Sequence, residues 1–273
     1  MIINYDSPGQ LCNRLWSLVP SIAYGLEYGE KVLVINLGKY SADFENLNSN
    51  KLIRFASYKR IKRILMSLKS RGYIQNGKAN IFKRLFNLNF VEGWSNRLGN
   101  AGMVEKQSDA IRKIFAFNSD ITDFVDQFFA DYNGFTIIGV HIRRGDYKEW
   151  LDGVYYYTDD EYICILKNIE EQFETKGNKV KFLLCSNEKV NLGNYNGLDC
   201  ITIPDTSGAW DLYALSKCDY IIGPPSSYSQ WASFSGKVPV KFIMRADGKV
   251  DLSDFSKIIS FNTFENRKSL NID

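Results

Sequence analysis

The chain has 273 residues, of which 45% are hydrophobic and 24% charged, with a formal net charge of +3 and a single histidine. One histidine excludes an HExxH zinc site, and the hydrophobic content excludes wholesale disorder. The five cysteines form no CxxC pair, so we expect reduced thiols buried as small hydrophobic side chains. No secretory signal or long apolar run is visible, so we expect a cytoplasmic protein, or one peripheral to a membrane.

The first elements in chain order predict a β–loop–helix–β unit. Residues 1–5 form a short apolar strand, a helix runs from about Leu11 to Tyr28 and ends at Gly29, and a second strand covers 31–37. The middle of the chain is predicted to be mostly helical, in a basic region, around 107–117, and over 121–132.

The basic region is unusual because no acidic residue lies between Glu45 and Glu92, whereas 11 of the 34 basic residues do. Four apolar side chains recur there at helical spacing, which predicts an amphipathic basic helix: Ile61, Ile64, Leu65 and Leu68. Three interpretations stay open: a solvated helix face packed on its own domain, a surface for anionic lipid or a lipid-linked phosphate substrate, and a nucleic-acid contact. Sparse aromatic residues and the lack of a nucleic-acid-binding motif argue against nucleic acid.

At Asn133-Gly134 the pattern resets, and strands alternate with helices from there on. This alternation predicts a doubly wound parallel sheet. We therefore expect an α/β protein of two Rossmann-like domains, 1–133 and 134–273, that face a cleft. The second domain is predicted to contain strands over 135–142, 179–185, 199–203, 219–223 and 238–243, and helices over 159–175, 209–217 and 226–234.

The strongest feature is the run HIRRGDY at 141–147, at the carboxyl end of the first strand of this second series. Ligands of open α/β sheets bind beyond that end of the strands. Strand alternation puts His141 and Arg143 on one side, while Arg144, past the strand end, should be freer. Two adjacent arginines suit bidentate contact with phosphate oxygens, and Asp146 could pair with one of them and aim it. The alternative is a purely structural Arg–Asp pair that closes the loop.

Two further segments could contact an anion. Gly9–Arg14 is a loop that enters the first helix, whose free N–H groups could receive an anion or a sugar hydroxyl, or it is simply a structural turn. Ser226 and Ser227 begin a helix, where they can cap it or donate to phosphates. The chain contains no Asp-x-Asp motif of the kind that holds a metal on a diphosphate, so arginine in place of metal is the coherent alternative.

Together these segments resemble the alpha-1,2-fucosyltransferase family, inverting enzymes of GT-B architecture. HIRRGDY is similar to the family's His-x-Arg-Arg-x-Asp-Tyr motif. The loop resembles Gly-Gly-Leu-Gly-Asn-Gln, with matches at Gly9, Leu11 and Asn13. Asp211-Leu212-Tyr213 followed by SSYSQWA at 226–232 is similar to the family's Asp-Leu-Tyr and Ser-Ser-Phe-Ser-Trp-Trp-Ala.

The resemblance implies transfer of L-fucose from GDP-fucose, with inversion, to a sugar hydroxyl of an oligosaccharide or polysaccharide precursor, with the 2-hydroxyl of galactose as the expected position. It also implies a GT-B fold and no metal or other cofactor. The implied partners are a GDP-sugar donor and a carbohydrate acceptor, lipid-linked or free, with peripheral contact to an anionic membrane as an open possibility and no nucleic acid. A role in bacterial surface polysaccharide such as O-antigen rests on the resemblance alone.

The resemblance also implies roles for single residues. Arg143 would bind the β-phosphate side of GDP, and Arg144 would assist or pair with an acid nearby. Donor binding would further involve His141, Ser226, Ser227, Asp211, Gly9 and Asn13. For His141 we favour a role in holding Arg143 in position rather than one in direct contact with the nucleotide. The general base stays open among Asp146, Glu149 and Asp152.

Departures from the family pattern fall in the N-terminal half, where Gly9-Gln10, Cys12 and Arg14 replace Gly-Gly, Gly and Gln. In such folds the N-terminal half binds the acceptor. The identity of the acceptor is therefore the property that the resemblance predicts least well. Two alternatives remain: a GT-B glycosyltransferase that uses another nucleotide sugar, and a non-catalytic sugar-binding, nucleotide-binding or membrane-surface protein.

Overall fold

The computed structural model describes residues 1–35, 37–56, 59–74, 85–94, 98–204, 206, 208–247 and 249–266. The chain forms two compact units. The first comprises Met1–Ser119 with Ile259–Phe261, and the second comprises Asp120–Ile258 with the segment that begins at Asn262. Three basic residues of the acid-free stretch, Lys78, Lys83 and Arg84, lie outside the described residues.

The first unit is built on a four-stranded parallel sheet in the order β3-β2-β1-β4. The predicted β–loop–helix–β start is confirmed. The middle of the chain, predicted to be mostly helical, also contains two strands that were not predicted, β3 and β4. Both are three residues long, which is too short for a period of two to be visible in the sequence. The elements are β1 Ile2–Asn4, α1 Leu11–Tyr28, β2 Val32–Val34, β3 Ile53–Phe55, α2 Lys59–Ser70, β4 Asn89–Val91, α3 Ala101–Lys106 and α4 Ser108–Ile114.

Helix α1 packs its apolar side into the first unit and leaves Leu15, Trp16 and Val19 without solvent exposure. It ends where predicted, because Gly29 adopts the left-handed conformation (φ 67°) and its N–H donates to the carbonyl of Gly25.

Helix α2 is a helix as the spacing predicted, but only part of its apolar stripe packs on the unit. Leu65 is buried in a cluster with Ile3, Tyr5 and Phe90, and Leu68 packs partly against that cluster. Ile61 and Ile64 belong to the same stripe but not to that cluster, and they are 42% and 59% exposed.

The second unit contains a five-stranded parallel sheet in the order β7-β6-β5-β8-β9, with helices between the strands. The predicted doubly wound parallel sheet and the GT-B-like α/β fold class are confirmed. A short strand pair, β10 Ile258–Ser260 and β11 Thr263–Phe264, follows. The elements are α5 Ser119–Ala130, β5 Thr136–Ile142, α6 Asp159–Glu174, β6 Val180–Ser186, β7 Cys200–Ile201, α7 Gly208–Lys217, β8 Tyr220–Gly223, α8 Ser227–Gly236 and β9 Val240–Phe242.

The division between the units differs from the sequence-based boundary at 133/134, since it falls at 119/120 and places α5 with the second unit. Asp126 of α5 explains this placement. Its carboxylate accepts a hydrogen bond from the hydroxyl of Tyr213 (3.2 Å) and pairs with the ammonium of Lys217 (3.0 Å), both on α7.

All five cysteines are free thiols. Cys12, Cys185 and Cys218 are buried as expected, and burial raises the pKa of each thiol. Cys164 is exposed on α6, so the expectation of burial is wrong for that residue. Within the described residues, the helices all fall short of the length and apolar character that a membrane crossing requires.

Substitution of Gly236 should show how closely α7 and α8 approach each other. A Cβ atom at Gly236 would lie 1.9 Å from the backbone carbonyl oxygen of Ser216, which cannot move away on its own. We therefore expect Gly236→Ala to lower the free energy of unfolding by about 1–3 kcal/mol, measured by urea denaturation. Gly208→Ala is the matched control, because nothing lies within 4 Å of its added Cβ. Equal stability of the two variants would contradict the close packing.

Candidate functional site

The carboxyl edge of the second sheet has a point where the strand order changes direction. From β5 the chain proceeds to β6 and β7 on one side, and then crosses to β8 and β9 on the other. Ligands of doubly wound sheets bind at such a switch point, just beyond the strand ends. The segments that leave β5 and β8 there are 143–147 and 224–227, which are two of the three segments selected from the sequence.

His141 occupies the end of β5 and is 4% exposed. Its Nδ1 atom lies 2.7 Å from the hydroxyl of Ser229 on α8, and its ring packs against Tyr228 with centroids 5.0 Å apart. Burial, together with the nearby charge of Arg143, lowers the pKa of His141 to about 3. The ring is therefore neutral at physiological pH and is held from the α8 side, which favours a supporting role over direct contact with a ligand.

Arg143 leaves the strand end and pairs with Asp146, at 2.8 Å from Nη2 to Oδ1. Its guanidinium also lies over the ring of Tyr147, 5.5 Å from the centroid. The Tyr147 hydroxyl donates to the carbonyl of Pro225 at 2.7 Å, so the arginine loop is tied to the segment that follows β8. Asp146 is 64% exposed, so the ion pair opens to solvent.

Arg144 is held by a second carboxylate, Asp159, at 2.5 Å from Nη2 to Oδ1. Asp159 also accepts hydrogen bonds from the Asn194 amide (2.6 Å) and the Tyr195 hydroxyl (2.9 Å). Burial alone would raise the pKa of Asp159, but these two hydrogen bonds and the charge of Arg144 outweigh it and lower that pKa. The expectation that Arg144 would be freer than Arg143 is thus wrong, because its side chain is only 16% exposed and fixed in this network.

Asp159 is the partner of Arg144 that the sequence analysis missed, because the pair spans 15 residues and Asp159 stands where a helix normally begins with an acid. The cap of α6 is Thr158, whose hydroxyl accepts from the N–H of Glu161 while the Glu161 carboxylate accepts from the N–H of Thr158. Asp159 is therefore free of the capping role, and its carboxylate is available to Arg144.

Ser226 and Ser227 begin α8 beside the arginine loop. Ser226 is the N-cap, and its hydroxyl accepts the N–H of Tyr228 at 3.2 Å. Ser227 is the first helical residue and is half-buried. The first-turn N–H groups and the positive end of the helix dipole make this terminus suited to an anion.

Asp211 lies in the first turn of α7. Its carboxylate accepts the hydroxyl of Thr206 at 2.6 Å. Burial raises the pKa of Asp211, partly offset by that hydrogen bond. The start of α7 is in turn tied to α8, because the hydroxyl of Tyr228 donates to the carbonyl of Gly208 at 2.6 Å.

Gly9 and Asn13 belong to the first unit, in the loop and first turn of α1. Gly9 has a positive φ of 51°, and a Cβ atom there would lie 2.5 Å from Nδ2 of Asn13. Only glycine suits that turn. The guanidinium of Arg14 donates back to the carbonyl of Gly9 at 3.2 Å, so the residue that departs from the family pattern closes this loop.

The carboxyl edge of the first sheet carries a polar network that the sequence analysis did not select. The Tyr5 hydroxyl donates to Glu92 at 3.1 Å, and Asp6 accepts the N–H of Gly93 at 3.3 Å. Lys69 of α2 pairs with the same Glu92 carboxylate. Burial is the largest of the influences that raise the pKa of Asp6. The available signal was the position of Asp6 and Glu92 just after two strands, but β4 was not predicted.

A strained turn follows the arginine loop. Leu151 and Asp152 both have positive φ, at 49° and 56°, although neither is glycine. Such backbone costs about 1–3 kcal/mol per residue and is concentrated at functional sites. Trp150, which begins the turn, is 43% exposed and packs against Tyr147 with centroids 4.7 Å apart. The turn therefore packs against the arginine loop through the contact of Trp150 with Tyr147.

Among the described residues, no three His, Cys, Asp or Glu side chains are grouped so that they could hold a metal ion.

The pH dependence of stability should report the neutral state of His141. Its pKa is about 3 when folded and about 6.5 when unfolded, so between these values the unfolded chain binds a proton that the folded chain does not. The stability that depends on neutral His141 is complete above about pH 6.5 and is lost as the pH falls toward 3. From pH 7.5 to 5.0 we expect a loss of about 2 kcal/mol by urea denaturation.

His141→Gln is the control for this measurement, because it removes the titrating group and keeps a polar side chain next to Ser229. Comparison of the two proteins cancels the carboxyl groups that titrate in the same range. A loss of the same size in His141→Gln, or a histidine ring proton that titrates near pH 6.5 by NMR, would contradict the buried neutral state.

Comparison with known structures shows the same fold at low sequence identity. The chain is similar to the alpha-1,6-fucosyltransferase NodZ soaked with GDP-fucose, with 19% identity, a TM-score of 0.56, and coverage of 93% of this chain and 96% of that one; another NodZ structure is from Bradyrhizobium. It is similar to a mutant FUT1 of Arabidopsis thaliana in complex with GDP, with 10% identity, a TM-score of 0.58 and coverage of 94% and 73%. It is also similar to POFUT1 in complex with GDP-fucose, with 10% identity, a TM-score of 0.52 and coverage of 89% and 97%.

No curated protein sequence matches the chain significantly. A family model does match, that of glycosyl transferase family 11, over residues 107–248. The match covers more than half of the chain and includes both arginine–carboxylate pairs and the start of α8. The chain therefore belongs to glycosyl transferase family 11.

Proposed function

We propose that the protein is an inverting fucosyltransferase that moves L-fucose from GDP-fucose to a sugar hydroxyl. The observation that carries the proposal is the pair of arginines, each with its own carboxylate, at the switch point of the second sheet and beside the start of α8. This region lies within the match to glycosyl transferase family 11. The proteins of similar fold that were crystallised with GDP or GDP-fucose support the choice of donor.

Arg143 is proposed to bind the departing diphosphate. When the acceptor oxygen attacks the anomeric carbon and the bond to the β-phosphate oxygen breaks, negative charge develops on the diphosphate. A guanidinium has five N–H donors, so one edge of Arg143 can keep Asp146 while another binds phosphate oxygens. The exposed Asp146 carboxylate would also yield at little cost, because ion pairs open to solvent contribute little. Asp146 thus serves as a positioning residue for Arg143.

Arg144 and α8 are proposed to complete the anion site. Asp159, Asn194 and Tyr195 fix the Arg144 side chain, so its contribution is a preorganised positive charge rather than a mobile one. Ser227 and the first-turn N–H groups of α8 would donate to phosphate oxygens, while the Ser226 hydroxyl caps the helix. Asp211, Gly9 and Asn13 remain proposed donor-binding residues on the resemblance to the fucosyltransferase family alone.

The general base for the acceptor hydroxyl is proposed to be Glu149 or Asp152 rather than Asp146. The Asp146 carboxylate is engaged by the Arg143 guanidinium at 2.8 Å, which assigns it to positioning that arginine. Asp152 lies in the strained turn directly after the arginine loop, and Glu149 precedes that turn. Both carboxylates belong to the segment that carries Arg143.

The acceptor is proposed to be a galactose-ended glycan, with transfer to the 2-hydroxyl, as part of an oligosaccharide or polysaccharide precursor. The polar edge of the first sheet offers carboxylate oxygens on Asp6 and Glu92 that can accept hydrogen bonds from sugar hydroxyls. We further propose that the reaction needs no metal, because the arginines and α8 provide the positive charge that a metal would otherwise supply.

Incubation of the protein with GDP-fucose and a panel of galactosides should yield fucosylated product in the presence of EDTA. The linkage is read by NMR, and we expect a 1,2-linkage to galactose. GDP-mannose and UDP-sugars serve as competing donors, with binding checked by thermal shift, since a ligand of the folded state raises Tm. Turnover with another donor would overturn the fucose assignment, and loss with EDTA that Mg²⁺ restores would overturn metal independence.

Replacement of Arg143 should remove turnover while the protein stays folded. We expect Arg143→Ala to lower kcat by about 10²–10³, and Arg143→Lys to lower it too, because an ammonium cannot form the bidentate contact. His141→Ala should lower kcat less. Lys181→Ala is the control, since Lys181 pairs with Asp199 at 2.5 Å near the amino end of β6, the opposite end of the strand from the candidate site. Near-normal turnover by Arg143→Ala would refute the phosphate role.

A further inference from the structure

Helix α2 presents to solvent a surface that combines cationic and apolar side chains, and fucosyl transfer uses none of it. We define the α2 surface by four exposed residues: Arg60, Ile61, Arg63 and Ile64. Residues three and four apart are neighbours on a helix, so Ile64 lies beside Arg60 and Ile61, and Arg63 lies beside Arg60. Ile61 and Ile64 are 42% and 59% exposed, and exposed apolar side chains that adjoin one another indicate an interaction site.

The packing of α2 shows why these side chains stay outside. Leu65 and Leu68 face the first sheet, and Lys62 and Lys69 reach its carboxyl edge, where Lys62 donates to Ser7 and Lys69 pairs with Glu92. The inward side of α2 is therefore in contact with the first unit. At about 100° per residue, Arg60 and Arg63 lie on the side of the helix opposite Leu65, and Ile64 lies on a flank.

Further apolar side chains of the acid-free stretch are exposed outside α2. Ile74 and Leu88 pack on the same cluster as Leu65. Leu85 and Phe86, shortly before Leu88, are 66% and 65% exposed. Exposed apolar side chains therefore recur in this stretch beyond the helix.

The charge of this region favours a lipid surface over a protein as the partner. Arg60 and Arg63 form no ion pair within the part of the chain that the structure describes, and no acidic residue lies anywhere between Glu45 and Glu92. A protein partner buries its apolar contacts in a core depleted of charge. A lipid interface instead takes apolar side chains into the acyl boundary, while arginine heads stay at the anionic headgroups.

We propose that the α2 surface binds an anionic lipid bilayer, with Ile61 and Ile64 inserted and Arg60 and Arg63 at the headgroups. The helix lies in the plane of the interface and does not cross the bilayer. This binding does not depend on fucosyl transfer and needs neither donor nor acceptor.

Vesicle co-sedimentation of the whole protein tests the proposal. Vesicles of phosphatidylcholine with about one-third phosphatidylglycerol should bind the protein, and pure phosphatidylcholine vesicles should bind it much less. Each arginine near an anionic surface contributes roughly fivefold to partitioning. We therefore expect Arg60→Glu/Arg63→Glu to weaken binding at least tenfold, and higher salt to weaken the wild-type protein.

The apolar part is tested by Ile61→Ser/Ile64→Ser, which should weaken binding to the same vesicles at constant salt with charge unchanged. Lys113→Glu/Lys249→Glu changes the net charge by the same amount at two exposed lysines elsewhere and should leave binding within about twofold. Circular dichroism melting checks that all variants fold.

Three outcomes would overturn the proposal: no binding of the wild-type protein to anionic vesicles, equal loss in the lysine control, or no effect of the isoleucine variant. A dimer that the isoleucine variant dissolves, without vesicle binding, would assign the α2 surface to a second copy instead. Because the readout is sedimentation, a protein without transferase activity can still bind, and an active one can fail to bind.

Discussion

The close approach of β8 to β5 at their carboxyl ends is the constraint on which the candidate site depends. A Cβ atom at Gly223 would lie 2.5 Å from the carbonyl oxygen of His141, so only glycine fits there. Because β8 ends against β5, the helix that follows it starts beside the end of β5, and Ser229 reaches the His141 ring. The Tyr147 hydroxyl then ties the arginine loop to Pro225. Arginines and helix terminus are thus brought to one place by backbone packing rather than by their own charges.

The two arginine–carboxylate pairs differ in a way that divides their roles. The Arg143 pair opens to solvent through Asp146 and has little to lose when a stronger anion arrives. The Arg144 pair shares Asp159 with Asn194 and Tyr195, so its rupture would leave several polar groups without partners. A diphosphate can therefore displace Asp146 from Arg143 at a lower free-energy cost than it could displace Asp159 from Arg144. The neutral His141 beside it adds no positive charge that would repel the Arg143 guanidinium.

The sequence allowed the second sheet and its edge to be predicted because both have local signals. Strands of β5 and β6 length show continuous apolar runs, and a histidine–arginine run at a strand end is visible without any tertiary information. The carboxylate that holds Arg144 could not be found in this way, because Asp159 sits at a helix start where an acid has an ordinary explanation. Strands β3 and β4 are too short to show an alternating pattern in the sequence. Because β4 was not predicted, Glu92 and Gly93, which follow it and bond Tyr5 and Asp6, were not selected either. The assignment of α5 to the second unit was likewise not visible in the sequence, because it depends on tertiary contacts such as those of Asp126 with Tyr213 and Lys217 on α7.

Charge segregation along the chain connects the α2 surface with the rest of the protein. With the 11 basic residues of the acid-free stretch set aside, the rest of the chain has 23 basic and 31 acidic residues, a net charge of −8. The proposed attraction to an anionic bilayer therefore comes from the acid-free stretch rather than from the net charge of the chain. Because electrostatic attraction is screened within about 10 Å at moderate salt, this stretch has to come close to the headgroups before it contributes. At that distance the exposed Ile61 and Ile64 add apolar burial, so the proposed binding combines the two kinds of side chain on the α2 surface.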